Sequence, residues 1–154
     1  MPHVVITIAI GTVLALFAGW LWRRTRTAQQ QAKRQLAILQ FDEFLDDLQI
    51  EFLAAAAATG KPRGLRWKQC DLGEARQFAR DLVNGELIAL VGATISFEAL
   101  AGGDMEDVEA VGNLRFATAI FVYRQGKWTT DGRVVFNLEP VQALERFQDR
   151  LAPW

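Results

Sequence analysis

Hydrophobic and polar positions divide the chain into three stretches with three different patterns. Val4 to Trp22 is an apolar run without a charge. At about 1.5 Å per residue a helix of this length reaches about 28 Å, enough to cross a hydrocarbon core of roughly 30 Å. Residues 27–58 contain no Gly or Pro, and Ile38, Phe41, Leu45, Leu48, Phe52 and Ala55 recur at steps of three and four. That spacing predicts an amphipathic helix. Phe44 and Leu53 widen its apolar face, which suits packing on a sheet better than pairing with one partner helix. From Leu87 the period falls to two, the signature of strands.

Leu87, Ala89, Val91, Ala93, Ile95 and Phe97 alternate along one face of a long predicted strand. Leu114, Phe116, Thr118, Ile120 and Val122 form the apolar set of the next, and Val134, Phe136 and Leu138 that of a third. Gln125-Gly126-Lys127 reads as the tight turn between the last two, and Gly92 as a bulge or bend. Ile88, Leu90, Ala117, Phe121 and Tyr123 make the opposite face partly apolar, so a partner or another part of the chain is expected to cover it.

Two readings compete over 73–83. Ala75, Phe78, Ala79, Leu82 and Val83 have helical spacing, with Asp71 and Glu74 as a capping box. Asn84-Gly85 is instead a hairpin signal directly before a long strand, and it favours a strand over about 75–81. Leu65–Asp71 reads as a further edge strand. Val141, Leu144, Phe147 and Leu151 predict a terminal helix with Pro140 in its first turn. The expected fold is α+β: an N-terminal transmembrane helix, a long amphipathic helix, an antiparallel meander of about four strands and a short C-terminal helix. The outline is similar to cystatin-like and nuclear-transport-factor-2-like folds, in which a curved sheet wraps a helix.

Charge refines the picture at the N-terminus. Trp20 and Trp22 close the apolar run, and Arg23, Arg24 and Arg26 follow at once, as at a membrane interface. Met1-Pro2-His3 carries no Lys or Arg, and no small-residue cleavage site precedes the arginines, which argues for an uncleaved anchor over a signal peptide. Residues 1–41 hold five basic groups and no acid; residues 42–154 hold 12 basic and 18 acidic groups, a net of −6. The positive-inside rule places the short N-terminus outside and the C-terminal part in the cytoplasm. Thr7, Gly11, Ala15 and Gly19 set four small side chains at steps of four, a face for self-association or a partner helix. The expected divisions are a tail at 1–3, the span at 4–22, a basic juxtamembrane and stalk helix at 23–58, and an α+β module at 59–154.

Composition limits the chemistry. The chain has one Cys, one Ser and one His, the last at position 3. Cys70 therefore has no His partner beyond the N-terminus, and Ser96 sits within a predicted strand, so nucleophilic catalysis lacks its base. Asp71, Glu98, Tyr123 and Asp131 remain the candidates for a carboxylate- or tyrosine-assisted site. Glu43, Asp47 and Glu51 are one turn apart, yet no Glu-x-x-His accompanies them, and a solvated acidic face is the better reading. Gly60-Lys61-Pro62 fails as a phosphate loop, with Ala55 where the motif needs Gly and Pro62 where it needs Ser or Thr. The soluble part is net acidic without a basic stripe, which argues against nucleic acid. No cofactor is expected.

The stretch 102–115, Gly-Gly-Asp-Met-Glu-Asp-Val-Glu-Ala-Val-Gly-Asn-Leu-Arg, resembles a segment of short, uncharacterised bacterial single-pass membrane proteins. Trp128-Thr129-Thr130-Asp131-Gly132-Arg133 resembles another. The likeness covers much of 60–150; it implies one intact module and no activity. Physically the first stretch is a loop with four acids, Asp104, Glu106, Asp107 and Glu109. A calcium loop starting at Asp104 would need Gly at its sixth position and Glu at its twelfth; Glu109 and Arg115 stand there. The acids are expected to solvate the loop, to pair with Arg115, Arg124 or Arg133, or to form an acidic docking surface. The expected function is a non-enzymatic interaction or accessory subunit, with the bilayer and a protein or second copy as partners. The alternative is a small-ligand-binding or enzymatic pocket inside a curved sheet.

Overall fold

The structure, a computed structural model, describes residues 2–59, 64–106 and 108–154, with the backbone alone for 2–15, 109 and 110. The chain divides into two compact units, Met1–Leu36 and Ala37–Trp154. Helix α1 spans Pro2–Leu39. The uncharged apolar run is thus helical, but most of its side chains lie outside the described residues. Among the described residues no helix is long and apolar enough to cross a membrane.

The second unit is α+β, with an antiparallel six-stranded sheet. A 3-10 turn at Phe41–Phe44 separates α1 from helix α2, Leu45–Thr59. The single helix expected through 58 is therefore broken, although no Gly or Pro marks the place. Ala37, Phe41, Leu48, Phe52 and Ala56 are the buried positions. Ala56 replaces the expected Ala55, and Phe44 turns half-exposed.

The strands are β1 Leu65–Asp81, β2 Leu87–Ala99, β3 Arg115–Arg124, β4 Lys127–Thr129, β5 Val134–Phe136 and β6 Leu151–Pro153, with helix α3 at Pro140–Arg146. The order is β4-β3-β2-β1-β6, and β5 also pairs with β3. The hairpin reading of 73–83 holds: one long strand leads into the turn before Leu87. Leu65–Asp71 is the first half of that strand rather than a separate edge strand. Gly73, Glu74 and Ala75 bulge between Leu72, paired with Ala93, and Arg76, paired with Val91. Gly92 lies opposite the bulge, where a Cβ would meet the Cβ and the carbonyl oxygen of Ala75, each at 3.4 Å.

The face assigned to β3 needs correction. Ala89 pairs with Phe121, Val91 with Ala119 and Ala93 with Ala117. Ala117, Ala119 and Phe121 therefore join the β2 set that faces α2, with the half-buried Tyr123 opposite Leu87, whereas Ile120 and Val122 share the other face with Ile88 and Leu90. Both sides of β3 carry apolar residues, so alternation alone does not choose the phase.

Under α2 the core is aromatic. Phe41 meets Trp128 edge-on at 4.8 Å, with Phe78 and Phe121 at 5.6 and 6.1 Å. Phe121 leads on through Phe52 to Trp67 and Phe97. Burying each such ring contributes about 1.5–3 kcal/mol from area alone. The other face is smaller: Ala79, Ile88, Leu90, Ala143 and Leu151, with Ile120, Leu138, Leu144 and Phe147 around them. This chain's own C-terminus covers it. Glu139 and Gln142 form a capping box, with Pro140 at the start of α3. The helix stops at Arg146, and Leu151, expected on it, pairs with Asp81 in β6.

Candidate functional site

The sequence-predicted residues fall on separate parts of the fold. Thr7, Gly11 and Ala15 lie on α1 with their side chains outside the described residues. Gly19 is on the same helix, and a Cβ there would meet nothing within 4 Å. Trp20 and Trp22 are exposed. The Arg24 guanidinium stands over the Trp20 ring at 5.2 Å and that of Arg26 over the Trp22 ring at 3.6 Å, each pair one turn apart. Stacking tolerates the planar, weakly hydrated guanidinium and leaves its N–H groups open to acceptors. Arg23 is exposed beside them.

Of the four loop acids, Asp104 and Glu106 are exposed. Asp107 lies outside the described residues, as does the side chain of Glu109, whose backbone opens a 3-10 turn, Glu109–Gly112. Glu106 accepts the Gly102 N–H at 2.7 Å, which ties it to its own loop. The expected pairing of these acids with Arg115, Arg124 or Arg133 lies, for Asp107 and Glu109, outside the described residues. Arg124 pairs with Glu86 and Arg133 with Asp131, while Arg115 lies over the Phe97 ring. Leu100, Val108 and Leu114 are exposed in and beside this loop, the last at 70%.

The chemistry candidates are spread apart and mostly engaged. Glu98 pairs with Arg66, and Asp71 accepts from the Gln69 amide. Cys70 is buried, and burial, with Asp71 next to it, pushes its thiol up to about 12. A thiol in that state is a small apolar side chain rather than a nucleophile. Among the described residues no three metal-ligating side chains converge. A cavity of about 190 Å³ lies at the sheet margin, lined by Ala57, Leu65, Arg66, Trp67 and Leu100. It is smaller than the usual site for a drug-sized ligand, which starts at about 300 Å³.

Sequence reasoning missed a clamp between β4 and β5. Both strands lie along β3, and residues 130–133 leave that line to reach α2. The Thr129 hydroxyl donates to Glu51 at 2.7 Å, and the Thr130 N–H reaches the same oxygen at 3.4 Å. The Thr59 hydroxyl approaches the Asp131 carbonyl at 3.4 Å. Gly132 has φ +71, and a Cβ there would fall on the Ala56 nitrogen, 2.6 Å from the Ala55 carbonyl carbon and the Ala56 Cα. Only glycine lets the loop touch helix backbone here. Trp128 adds its indole N–H to the Ala37 carbonyl at 3.1 Å, satisfying an acceptor at the end of α1. The signal for this site is Thr-Thr-Asp-Gly between two apolar runs, part of a segment singled out above by resemblance alone. Glu51, read as one of a solvated acidic set, is the acceptor of the clamp.

No family model, curated protein or solved structure matches this chain.

Proposed function

We propose that this chain is a single-pass protein of a bacterial inner membrane, N-terminus outside, that holds a non-enzymatic α+β interaction module at the cytoplasmic surface. The observation that carries the reading is the filling of both sheet faces by the chain's own helices. Phe41, Phe52, Phe121 and Trp128 occupy the space that a curved-sheet pocket would need, and α3 with β6 closes the other side. What the module offers is its outer surface. The anchor rests on the sequence: an uncharged run from Val4 to Trp22 that ends on two Trp and is followed by three Arg. The filled sheet faces weigh against a pocket inside the sheet.

The contact to the assembly has two candidate parts. One is the small-residue face Thr7, Gly11, Ala15 and Gly19 in the span, which would admit a second helix closely. The other is the loop at 100–114, where Asp104 and Glu106 stand beside exposed Leu100, Val108 and Leu114. Fractionation tests the anchor: the full chain stays in the membrane pellet through an alkaline carbonate wash, and a chain lacking 4–22 does not. Native electrophoresis in mild detergent tests the assembly. Gly11→Leu with Gly19→Leu, or Asp104→Lys with Glu106→Lys, shifts the band to lower mass. An intact chain that migrates as a lone protomer, unchanged by either pair, overturns the interaction reading.

A further inference from the structure

One end of the second unit carries an apolar tip that its fold does not use. Ala152, Arg80, Leu87, Tyr123 and Trp128 form a row across the sheet. Beyond that row lie the turns Leu82–Glu86, Gln125–Gly126 and Phe147–Arg150. The first turn is fully specified without its two apolar members. Asp81, 5% exposed, accepts the N–H groups of Val83 and Asn84 at 2.8 and 3.2 Å. Asn84 accepts the Glu86 N–H, and Gly85 at φ +71 donates to the Asp81 carbonyl. Glu86 then accepts from the Arg124 Nε and Nη2, at 2.5 and 2.9 Å. Positions 82 and 83 place no demand on their side chains, yet they hold Leu and Val, 50% and 79% exposed. Turns usually place polar residues here.

The charges around the tip are mixed, with the cations facing outward. Arg80 and Lys127 are exposed, and the Arg150 side chain, 64% exposed, pairs with Asp81 at 3.8 Å. Of the acids, Asp81 is buried within the turn and Glu86 is held by Arg124, which leaves Asp149 exposed. Trp128 of the same row binds the Ala37 carbonyl, so the chain enters the unit at this end. An apolar tip with exposed Arg80 and Lys127 beside it fits the boundary between headgroups and acyl chains of an anionic bilayer.

We infer that the Leu82–Val83 turn is a second membrane contact, which inserts into the headgroup layer of the same anionic leaflet that the anchor enters, with Arg80 and Lys127 on the lipid phosphates. This rests on the anchored reading above. Its effect would be to fix the orientation of the module on the surface and turn the 100–114 end away from it.

The test uses the full chain in vesicles of phosphatidylcholine alone or with one-third phosphatidylglycerol. A spin label is attached at Val83→Cys or, as a control at the other end, Asn113→Cys. The buried Cys70 stays unlabelled in the folded chain. Collision with a water-soluble nickel chelate then reports depth. The label at 83 is expected to lose most of its collisions on anionic vesicles, less on neutral ones, and to regain them with Arg80→Glu and Lys127→Glu together. The label at 113 stays accessible throughout. Equal accessibility at 83 and 113 on anionic vesicles overturns the docking. Protection at 83 in native membranes but not in vesicles also overturns it, in favour of a protein partner. Release of the chain by alkaline carbonate refutes the anchor and the docking together; retention with an accessible label at 83 refutes the docking alone.

Discussion

The two faces of the sheet are built by different means. The face under α2 is thick and aromatic, joined by ring contacts from Trp128 to Phe97. It is locked at one point by backbone against backbone, where Gly132 meets Ala55 and Ala56. The face under α3 is thin and aliphatic, and polar groups close its margins. Thr118 donates to the Leu138 carbonyl at 2.7 Å, and the Leu82 N–H to the Arg150 carbonyl at 2.9 Å. The thick face should therefore set the stability of the unit, and the thin face should set how firmly its C-terminus and turns are held. Dispersion and apolar area grow with packed volume, whereas a neutral hydrogen bond contributes only about 0.5–1.5 kcal/mol net.

The sharpest way to break this contrast is Gly132→Ala. The new methyl adds overpacking, about 1–3 kcal/mol, to the strain of a left-handed backbone, about 1–3 kcal/mol. The expected loss, the sum of the two, is about 2–6 kcal/mol in a denaturant titration. Gly126→Ala separates the two contributions. Its φ is +86 but its Cβ would meet nothing within 4 Å, so only the backbone strain remains, about 1–3 kcal/mol. Equal losses at the two glycines would mean that the clamp does not press on α2.

Next in size is a pair of truncations. Phe52→Ala removes a fully buried ring that touches both Phe121 and Trp67, and should cost about 3–5 kcal/mol. Leu151→Ala removes a side chain 8% exposed at the margin of the thin face, and should fall near the low end for such changes, about 2 kcal/mol. Hydrogen exchange distinguishes the consequences: the first raises exchange across β2 and β3, the second chiefly in α3 and β6. A larger loss at Leu151 would reverse the ranking of the faces.

The legibility of these parts in the sequence follows the same division. β2 is readable because Leu87 through Phe97 place a bulky residue or alanine at every second position, and the Asn84-Gly85 turn fixes its start. For β3 the pattern suggests the wrong phase. Phe116, Ile120 and Val122 carry more bulk than Ala117 and Ala119, yet the small alanines share the core face with Phe41 and Phe52, whose rings fill it. The partner element makes the choice, and periodicity within β3 does not contain it. The break at Phe41–Phe44 leaves no mark, since neither Gly nor Pro is there. Its supports are tertiary: Phe41 against three rings, and the Asp42–Arg76 ion pair. β4, β5 and β6, at three residues each, are too short to show a period. The role of Gly132 in the clamp is hidden for a related reason: it acts through a helix far earlier in the chain, and a lone Gly between strands reads as an ordinary turn.

The smallest effect concerns the polar margin of the thin face and is read best as local exchange. The Arg124 guanidinium, hydrogen-bonded to Glu86, holds that carboxyl below its usual value of 4.5, with the Asn84 amide acting in the same direction. A lowered folded value favours the ionised form in the folded state. The stabilisation is therefore complete above the ordinary carboxylate range and is lost as pH falls through the lowered folded value. The pair lies at the surface and is partly exposed, so the global midpoint should barely move. The Gly85 amide, bonded to the Asp81 carbonyl within the same turn, should lose protection as pH is lowered from 5 to 3, beyond the intrinsic pH dependence of exchange. Arg124→Gln should give the same loss already at pH 6, while amides of α2 keep theirs. If α2 loosens in step with Gly85, the two faces unfold as one, and the thin margin is no more independent than the aromatic core.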